Sequence, residues 1–498
     1  MDPTRVARTL ADRGPIGGSL AAILLATAWV ATWRPQVDPD AWWHIGLGDR
    51  VLATGAIPAV ETFSWLTAGE RIVVHSWLWD VLLASAHRAA GAFGTSVLIL
   101  PVTAVIVGLL WFLLGSGTSG LPPAGRAGLV LAASVAAVAA WAPRAQTLDV
   151  AFVLAGVVVL DRYLRTGDRR PLLALPVIGL LWANLHGSAI LALPLTIGLA
   201  VVALPIGRRL GDWPPRTPLP LLAAGSGALF AACLNPYGAG LWLYPFDRSV
   251  ASAFIPEIIE WRPLDPTAPG SIPFIVLLAV TGALLVVRRE RRPDAFLLLT
   301  TLSWSVAAVS SARFVAIASC LLAVALGAAL ARRVAGGDGP RVTPAVPSAP
   351  TPRPPAWMSA IAPLAILVVG TTLIAPAAQD AAIRHRLPVA AVEALIAGTC
   401  PGRSLVDYGW AGYVGWATGR EVGAYGNSPE AAVRSQVAVE LGRVDPGPWL
   451  DDHAVEVALL PTGGPLSRWL DGASGWMVAY RDDQATIHGR RGDCSVAA

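Results

Sequence analysis

The chain has 498 residues, of which 54% are hydrophobic and only 14% are charged, with a mean hydropathy of +0.57. Soluble domains carry about 25% charged residues, so this composition excludes a soluble globular protein and indicates a polytopic α-helical membrane protein. The net charge of +4 comes from arginines in short loops and does not indicate nucleic-acid binding.

Hydrophobic stretches follow one another along most of the chain. The first follows an arginine-containing N-terminus, and because no small-residue cleavage site comes after it, we interpret it as a retained helix. A bilayer core requires about 20 apolar residues per helix. About eleven such spans occur, at 16–33, 95–114, 126–142, 147–164, 170–184, 187–206, 219–235, 271–287, 294–310, 312–331 and 357–376.

Clusters of arginine between the spans predict their orientation. These clusters lie at 162–170, 208–209, 288–292 and 332–333, and under this count all of them share one side with the N-terminus. Because cytoplasmic loops are enriched in Lys and Arg, the N-terminus is predicted to be cytoplasmic, in a bacterial plasma membrane. The chain after the last span is then predicted to be extracytoplasmic.

The spans and loops predict four parts of the chain. Residues 1–335 form a transmembrane domain with a first outer loop at 34–94, and residues 336–356 form a Pro-rich cytoplasmic linker. After the last span at 357–376, residues 380–498 turn polar and are predicted to form a small extracytoplasmic α/β domain, called the C-terminal region below.

Two cysteines bracket the C-terminal region. Cys400 and Cys494 stand near its two ends. In an oxidising compartment they are able to form a disulfide bond, and the alternative is a pair of free thiols. The sequence leaves both possibilities open because it does not give the distance between the two Cα atoms.

The first outer loop begins with Asp38-Pro-Asp-Ala-Trp-Trp-His44. Asp38 followed by Pro39 is typical of the N-cap and first position of a helix, and Gly55 is typical of its C-terminal stop. This helix is predicted to lie in the membrane interface with Trp42 and Trp43 largely toward lipid.

Asp40 is the main candidate for chemistry in this helix. Asp38 is explained by capping, whereas Asp40 lies where helix N–H groups favour an anion, and His44 shares its face four residues later. A carboxylate at this place is able to hold Mg²⁺ or Mn²⁺ or to accept a proton from a sugar hydroxyl. The alternative for His44 is an ordinary interfacial side chain.

Lone arginines and other polar residues occur in the remaining outer loops. Arg144 follows the third span and Arg313 lies between the ninth and tenth. Each is able either to snorkel to lipid phosphates or to bind the phosphate of a lipid-linked substrate through its planar guanidinium. Further candidates at this side are Asn184, His186, Glu257 and Glu260, of which the two glutamates are equally typical of a solvated face.

These motifs share the predicted outer side of the membrane. In their order along the chain they resemble those of the GT-C glycosyltransferase superfamily, in particular a bacterial branch that uses polyprenyl-phosphate sugars. The resemblance covers nearly the whole chain. The matching positions are 38–44 with Gly48, 55–58, 63–64, 75–78, 182–187, 235–238, 260–261, Arg313 and 407–413.

The sequence departs from the family pattern at three places. Arg144-Ala-Gln146 stands where the family has Arg-Pro-Gln, and Glu61 stands where an Asp is expected before Phe-Ser. The turn at 424–427 lacks an acidic-Gly-Arg sequence, so the resemblance assigns no binding role to it.

The resemblance implies a GT-C fold and a hexosyl- or pentosyltransferase. Such an enzyme takes a sugar from a polyprenyl-phosphate carrier in the lipid bilayer and transfers it, with inversion, to an extracytoplasmic acceptor in the cell envelope. It implies that Asp40 or Asp38 is the base or a metal ligand, together with His44. The implied substrate-binding residues are Arg313, Arg144, His186, Asn184, His75 and Glu260.

Two other classes of protein stay open at this point. A transporter or flippase for a lipid-linked substrate places ionisable residues near the membrane midplane. Here Asp149 and Asp161 lie near the ends of their span, and the polar candidates share one side, which favours an interfacial enzyme. A scaffold that presents the C-terminal region has no need of lone outer arginines.

Overall fold

A computed structural model describes residues 15–35, 37–116, 121–247, 259–287, 292–335, 356–490 and 494–495. The described chain is helical up to residue 397, and a small sheet follows. Glu257 and the predicted linker, apart from residue 356, lie outside the described residues.

Within the described residues up to 374, the structure contains twelve α-helices. They are α1 (Pro15–Val30), α2 (Pro39–Thr54), α3 (Trp77–Ser116), α4 (Pro123–Ala136), α5 (Ala145–Thr166), α6 (Ala174–Leu185), α7 (Ala189–Leu210), α8 (Leu219–Ala232), α9 (Ile272–Val287), α10 (Ala295–Ser310), α11 (Val315–Ala335) and α12 (Ala356–Ile374). All except α2 coincide with a predicted hydrophobic span, so the prediction of a helix at each of those places is confirmed.

Within the described residues, four helices are long and apolar enough to cross a bilayer: Trp77–Ser116, Ala189–Leu210, Pro269–Val287 and Ala312–Leu330. A fifth candidate is the pair Ala360–Ile374 and Pro376–Arg386, which is bent by 45°. These helices make the chain a multi-pass membrane protein. The number of about eleven crossings and the division into domains stay predictions.

The helices pack around α11. Residues 316–329 of this helix are all buried, and its alanines and glycine allow neighbouring helices to approach closely. Large aromatic side chains, including Trp141, Trp182 and Phe296, belong to the same buried cluster as α11. The turn that enters α11 carries Arg313, so the position of this residue is fixed by the best-packed helix of the molecule.

From residue 376 onward, the described residues form six short helices and a four-stranded sheet. The helices are α13 (Pro376–Arg386), α14 (Val389–Ala397), α15 (Ala411–Thr418), α16 (Glu430–Glu440), α17 (Pro446–Asp452) and α18 (Pro465–Gly472). The strands are β1 (Arg403–Val406), β2 (Val455–Pro461), β3 (Trp476–Arg481) and β4 (Ala485–Arg490), in the order β1-β2-β4-β3. β1 is parallel to β2, and the other pairs are antiparallel. A disulfide bond joins Cys400 to Cys494.

Helix α2 does not face lipid, so that prediction is wrong. Trp42 is 3% exposed, and its ring lies 5.0 Å from that of Tyr413 and 4.7 Å from that of Trp416 in α15. On its other side α2 crosses α3 so closely that a Cβ on Gly48 would lie 2.0 Å from the carbonyl oxygen of Asp80. The C-terminal region therefore covers α2, which lies between it and α3.

Candidate active site

The predicted caps of α2 are confirmed. The Asp38 carboxylate accepts a hydrogen bond from the backbone N–H of Asp40 at 3.0 Å, and Pro39 occupies the first helical position. Gly55 ends the helix with a φ of 67°. The cap places the carboxylates of Asp38 and Asp40 side by side at the start of α2.

Arg144, the residue that precedes α5, lies against both carboxylates. Its Nε forms an ion pair with Asp38, and its Nη2 lies 3.4 Å from Oδ2 of Asp40. Its Nη1 donates to Oε2 of Glu260 at 2.6 Å. One guanidinium therefore joins acidic residues from α2 and from the turn at Ile259–Trp261.

Glu260 connects Arg144 to a second arginine. Its other carboxylate oxygen forms an ion pair with Arg313, whose guanidinium lies 4.6 Å from the centre of the Trp261 ring. The Ser311 hydroxyl donates to the backbone carbonyl of Glu260 at 3.0 Å, which fixes the two turns against each other. We call Asp38, Asp40, Arg144, Glu260 and Arg313 the carboxylate–arginine cluster.

The cluster contains strongly coupled charges. Burial raises the pKa of the Asp38 carboxyl above its usual value, although Arg144 opposes this effect. Burial also acts to raise the pKa of Glu260, but Arg313 and Arg144 outweigh it and the pKa lies below its usual value. For Arg144, burial lowers the pKa, yet the three carboxylates raise it well above its usual value. Glu260 and Arg144 therefore stay ionised.

Asp40 is the more accessible of the two aspartates. Its side chain is 32% exposed, against 12% for Asp38. Its Oδ1 accepts a hydrogen bond from the Trp43 indole at 3.3 Å. Asp38 is occupied both by the cap and by Arg144, so Asp40 is the carboxylate that a substrate is able to approach.

His44 turns away from Asp40. Its Nδ1 lies 2.6 Å from Oδ1 of Asp80, and the Ser76 hydroxyl donates to the same oxygen at 2.9 Å. His44 is 2% exposed. Although Asp40 and His44 are four residues apart, the structure does not bring their side chains together, and His44 instead connects α2 to α3.

His186 has a matching arrangement at the turn between α6 and α7. Its Nδ1 lies 2.8 Å from Oδ1 of Asp149, which also accepts hydrogen bonds from the Ser188 hydroxyl at 2.5 Å and from the Trp182 indole at 2.9 Å. The carboxylate fixes the orientation of the imidazole ring.

His75 lies beside His186. Their ring centres are 5.6 Å apart, and the Tyr244 ring lies 5.3 Å from His75 on another side. Burial lowers the pKa of His75 well below its usual value, and His186, His44 and Arg313 add to this effect. Its Nδ1 is buried and has no hydrogen-bond partner among the described residues, so the ring carries an unsatisfied nitrogen.

Asn184 uses its side chain within the fold. Its amide nitrogen donates to the carbonyl oxygens of Leu180 and Leu234 at 2.8 and 2.9 Å, and its oxygen accepts from the Trp77 indole at 3.1 Å. These bonds join α6 to the ends of α8 and α3.

A divalent cation does not fit between the carboxylates. The Arg144 guanidinium lies within ion-pairing distance of Asp38, Asp40 and Glu260, and a metal ion held by the same oxygens would meet its positive charge. No three His, Cys, Asp or Glu side chains in the described part of the chain form a possible ligand set. Arg144 thus supplies positive charge where Mg²⁺ or Mn²⁺ was predicted to bind.

Sequence reasoning did not identify three residues beside the site. Asp80 and Asp149 bind the two histidines, and an acidic residue at the end of an apolar span was the available signal. Tyr408 belongs to the 407–413 motif of the C-terminal region, and nothing in that motif indicated a role for this residue. Burial raises the pKa of Tyr408, and the charges of Asp40 and Glu260 add to this effect.

No family model and no curated protein match this sequence. Among solved structures, ArnT from Cupriavidus metallidurans in the apo state is similar, with a TM-score of 0.52 and 15% identity over 94% of this chain and 96% of that one. The same protein bound to undecaprenyl phosphate gives a TM-score of 0.50 at 15% identity over 94% and 97% of the two chains. The apo oligosaccharyltransferase of Archaeoglobus fulgidus gives 0.51 at 11% identity over 89% and 69%.

The chain is therefore a membrane protein that shares the fold of ArnT and of this oligosaccharyltransferase, which agrees, at the level of the fold, with the resemblance found in its sequence. Identities of 11–15% show the fold alone. The reaction has to be argued from the residues of this chain.

Proposed function

We propose that this protein is a glycosyltransferase that moves a sugar from a polyprenyl-phosphate carrier to a hydroxyl acceptor of the cell envelope, with inversion. The observation that carries the proposal is the carboxylate–arginine cluster. Asp40, Arg144, Glu260 and Arg313 come from separate parts of the chain and meet at one place, with an accessible carboxylate at one end and a guanidinium at the other.

In the proposed reaction Asp40 accepts the proton of the acceptor hydroxyl. The acceptor oxygen forms a bond to the anomeric carbon of the donor sugar, and the bond from that carbon to the phosphate oxygen breaks. Its electron pair leaves with the phosphate. Asp40 is favoured over Asp38 as the base because it is more exposed and is not a cap.

Arg313 is suited to the departing phosphate. A guanidinium has five N–H donors, and in Arg313 Nη1 binds Glu260 while Trp261 holds the plane of the group. The remaining donors are able to bind phosphate oxygens, which stabilises the charge that develops on the leaving group. Arg144 is committed to three carboxylates, so we assign it the task of holding Asp38 and Asp40 in place.

The histidines complete the phosphate end of the site in this proposal. The ring of His75 contacts those of both His186 and Tyr244, and the charge of Arg313 affects the pKa of Tyr244. Asn184 and His44 are assigned supporting roles, because their polar atoms bind other parts of the fold.

The proposed location is the outer face of a bacterial plasma membrane. The disulfide bond between Cys400 and Cys494 supports an oxidising compartment for the C-terminal region. The α2 helix and the carboxylate–arginine cluster contact this region, so the site would face the same compartment.

The proposal is tested with the full chain in lipid nanodiscs, a panel of radiolabelled undecaprenyl-phosphate sugars and a bacterial membrane fraction as the acceptor source. We expect Asp40→Asn to abolish transfer and Asp38→Asn to reduce it. Asp49→Asn, at the other end of the same helix, serves as the control and should retain activity. EDTA should leave the rate unchanged, and a requirement for Mg²⁺ or Mn²⁺ would contradict the role given to Arg144.

Two results would overturn the assignment. One is full activity in both aspartate variants of the cluster. The other is an intact wild-type protein that neither transfers sugar nor binds undecaprenyl phosphate. Vectorial movement of the lipid without transfer would favour a flippase instead.

A further inference from the structure

Two departures from the family pattern, Glu61 and the turn at 424–427, meet in the structure. The hydroxyl of Tyr425 donates to Oε2 of Glu61 at 2.8 Å, although the two residues are 364 positions apart. Both side chains are almost fully buried. The proposed reaction gives no role to either residue.

Glu61 uses both of its carboxylate oxygens. Oε1 accepts hydrogen bonds from the backbone N–H groups of Thr62, Phe63 and Ser64 at 2.7, 2.5 and 3.1 Å. Oε2 is left for Tyr425. A carboxylate that orders its own loop and also reaches the C-terminal region needs the longer Glu side chain, since an Asp is one methylene shorter.

Backbone hydrogen bonds continue this contact. The N–H of Trp65 donates to the carbonyl of Val422 at 2.9 Å, and the N–H of Val422 donates to the carbonyl of Phe63 at 3.0 Å. The first outer loop and the C-terminal region are therefore also joined by two backbone hydrogen bonds beside the Glu61–Tyr425 hydrogen bond.

The residue after Tyr425 lies against the proposed base. A Cβ on Gly426 would lie 2.8 Å from Oδ1 of Asp40 and 2.4 Å from Nε1 of Trp43. The Trp43 indole in turn donates to the same oxygen of Asp40. Only glycine allows the backbone of the turn to approach the carboxylate this closely.

We propose that Glu61 and Tyr425 are positioning residues: their hydrogen bond holds the 424–427 turn against Asp40 and thereby fixes the Asp40 carboxylate for proton transfer. This inference rests on the proposed function. It gives the C-terminal region a part in the reaction, since that region forms one wall around the base.

The test compares Tyr425→Phe with Tyr480→Phe in full-length protein in nanodiscs. Tyr480 is a matched control because it lies in the same region and donates to Oδ2 of Asp482 at the same distance of 2.8 Å. Hydrogen bonds to charged groups contribute enough that Tyr425→Phe should lower kcat about tenfold or more. The Kd for undecaprenyl phosphate should not change, because Arg313 is untouched.

A second measurement does not depend on activity. Carbodiimide labelling of Asp40, read by tandem mass spectrometry, should become severalfold faster in Tyr425→Phe and stay unchanged in Tyr480→Phe. If Tyr425→Phe fails to fold, Gly426→Ala replaces it, since the added methyl group pushes the turn away from Asp40. Gly475→Ala is its control, because that position has no neighbour within 4 Å.

The outcomes separate this inference from the proposed function. Unchanged kcat and unchanged labelling in Tyr425→Phe would overturn the positioning role while the transferase assignment stands. Faster labelling in a protein whose wild type transfers no sugar would support the contact with Asp40 and overturn the transferase assignment. An equal loss of kcat in Tyr480→Phe would show a general effect on the C-terminal region and overturn the inference.

Discussion

Glu260→Gln should strengthen the binding of undecaprenyl phosphate while it slows transfer. The Glu260 carboxylate lies between Arg144 and Arg313 and competes with a phosphate for the second arginine. Glutamine keeps the shape of the side chain and removes its charge. The substitution therefore removes the repulsion between Glu260 and a bound phosphate and keeps the attraction between that phosphate and Arg313.

The size of the effect follows from the charges. The Glu260 carboxylate and a phosphate bound to Arg313 would be two negative charges about 6 Å apart. At an effective dielectric constant of about 20 they repel by about 3 kcal/mol. Glu260 is 26% exposed, and solvent and salt reduce this repulsion to about 1.5 kcal/mol, or roughly tenfold in Kd. Arg313 keeps its contact with the Trp261 ring at 4.6 Å, so its guanidinium stays in place.

The assay is a titration of nanodisc-embedded protein with undecaprenyl phosphate, together with kcat for transfer. We expect a Kd about tenfold lower in Glu260→Gln and a reduced kcat, because the product leaves more slowly and Arg144 loses a partner. Glu393→Gln, an exposed glutamate paired with Arg384, is the control. Unchanged or weaker binding in Glu260→Gln would refute the placement of the phosphate at Arg313.

Two further predictions concern stability. Arg144→Ala leaves three carboxylates without their shared partner and should destabilise the fold by about 2 kcal/mol, seen as a lower Tm, and Arg144→Lys should not restore it because one ammonium lacks the guanidinium fork. A fully retained Tm would contradict the cluster. Burial raises the pKa of Asp407 to about 6 from 3.8, so the folded state binds this proton more tightly than the unfolded state. Protonated Asp407 therefore stabilises the folded state below about pH 4. This stabilisation, up to about 3 kcal/mol in the free energy of unfolding, is lost as the pH rises through 6. The protection factors of the β1 amides, which are corrected for the intrinsic pH dependence of amide exchange, should therefore rise on acidification to about pH 4. Asp407→Asn should reduce that rise and leave the part due to Glu440, whose pKa burial also raises.

The sequence predicted those elements that depend only on residues adjacent in the chain, namely helix caps and apolar helices. The cap at Asp38 and the stop at Gly55 need only their own helix, and a helix was found at every apolar stretch. The surroundings of α2 were not predicted. Lipid chains and a protein interior are equally apolar, so the side chain of Trp42 carried no information on which of the two would cover it.

The candidate site was predicted as a set of residues but not as a geometry. Arg144 and Glu260 are 116 positions apart, and no local pattern indicates which partner each would take. Helical spacing placed His44 on the face of Asp40, but that spacing describes only one helix. The partner of His44 is Asp80 on another helix, and its place follows from how α2 crosses α3.

Helix α5 carries a charged contact at each end. Arg144 precedes its first residue, and in its last turn Arg165 binds Asp161 at 2.7 Å and pairs with Asp294 at the start of α10. Its 22 residues extend about 33 Å, close to the roughly 30 Å of a hydrocarbon core. The helix thus holds its two charged contacts at a fixed distance from each other. If α5 crosses the bilayer, as the sequence predicts, a change in lipid thickness would move one end of the helix relative to the other and so reach Arg144, which holds the two aspartates.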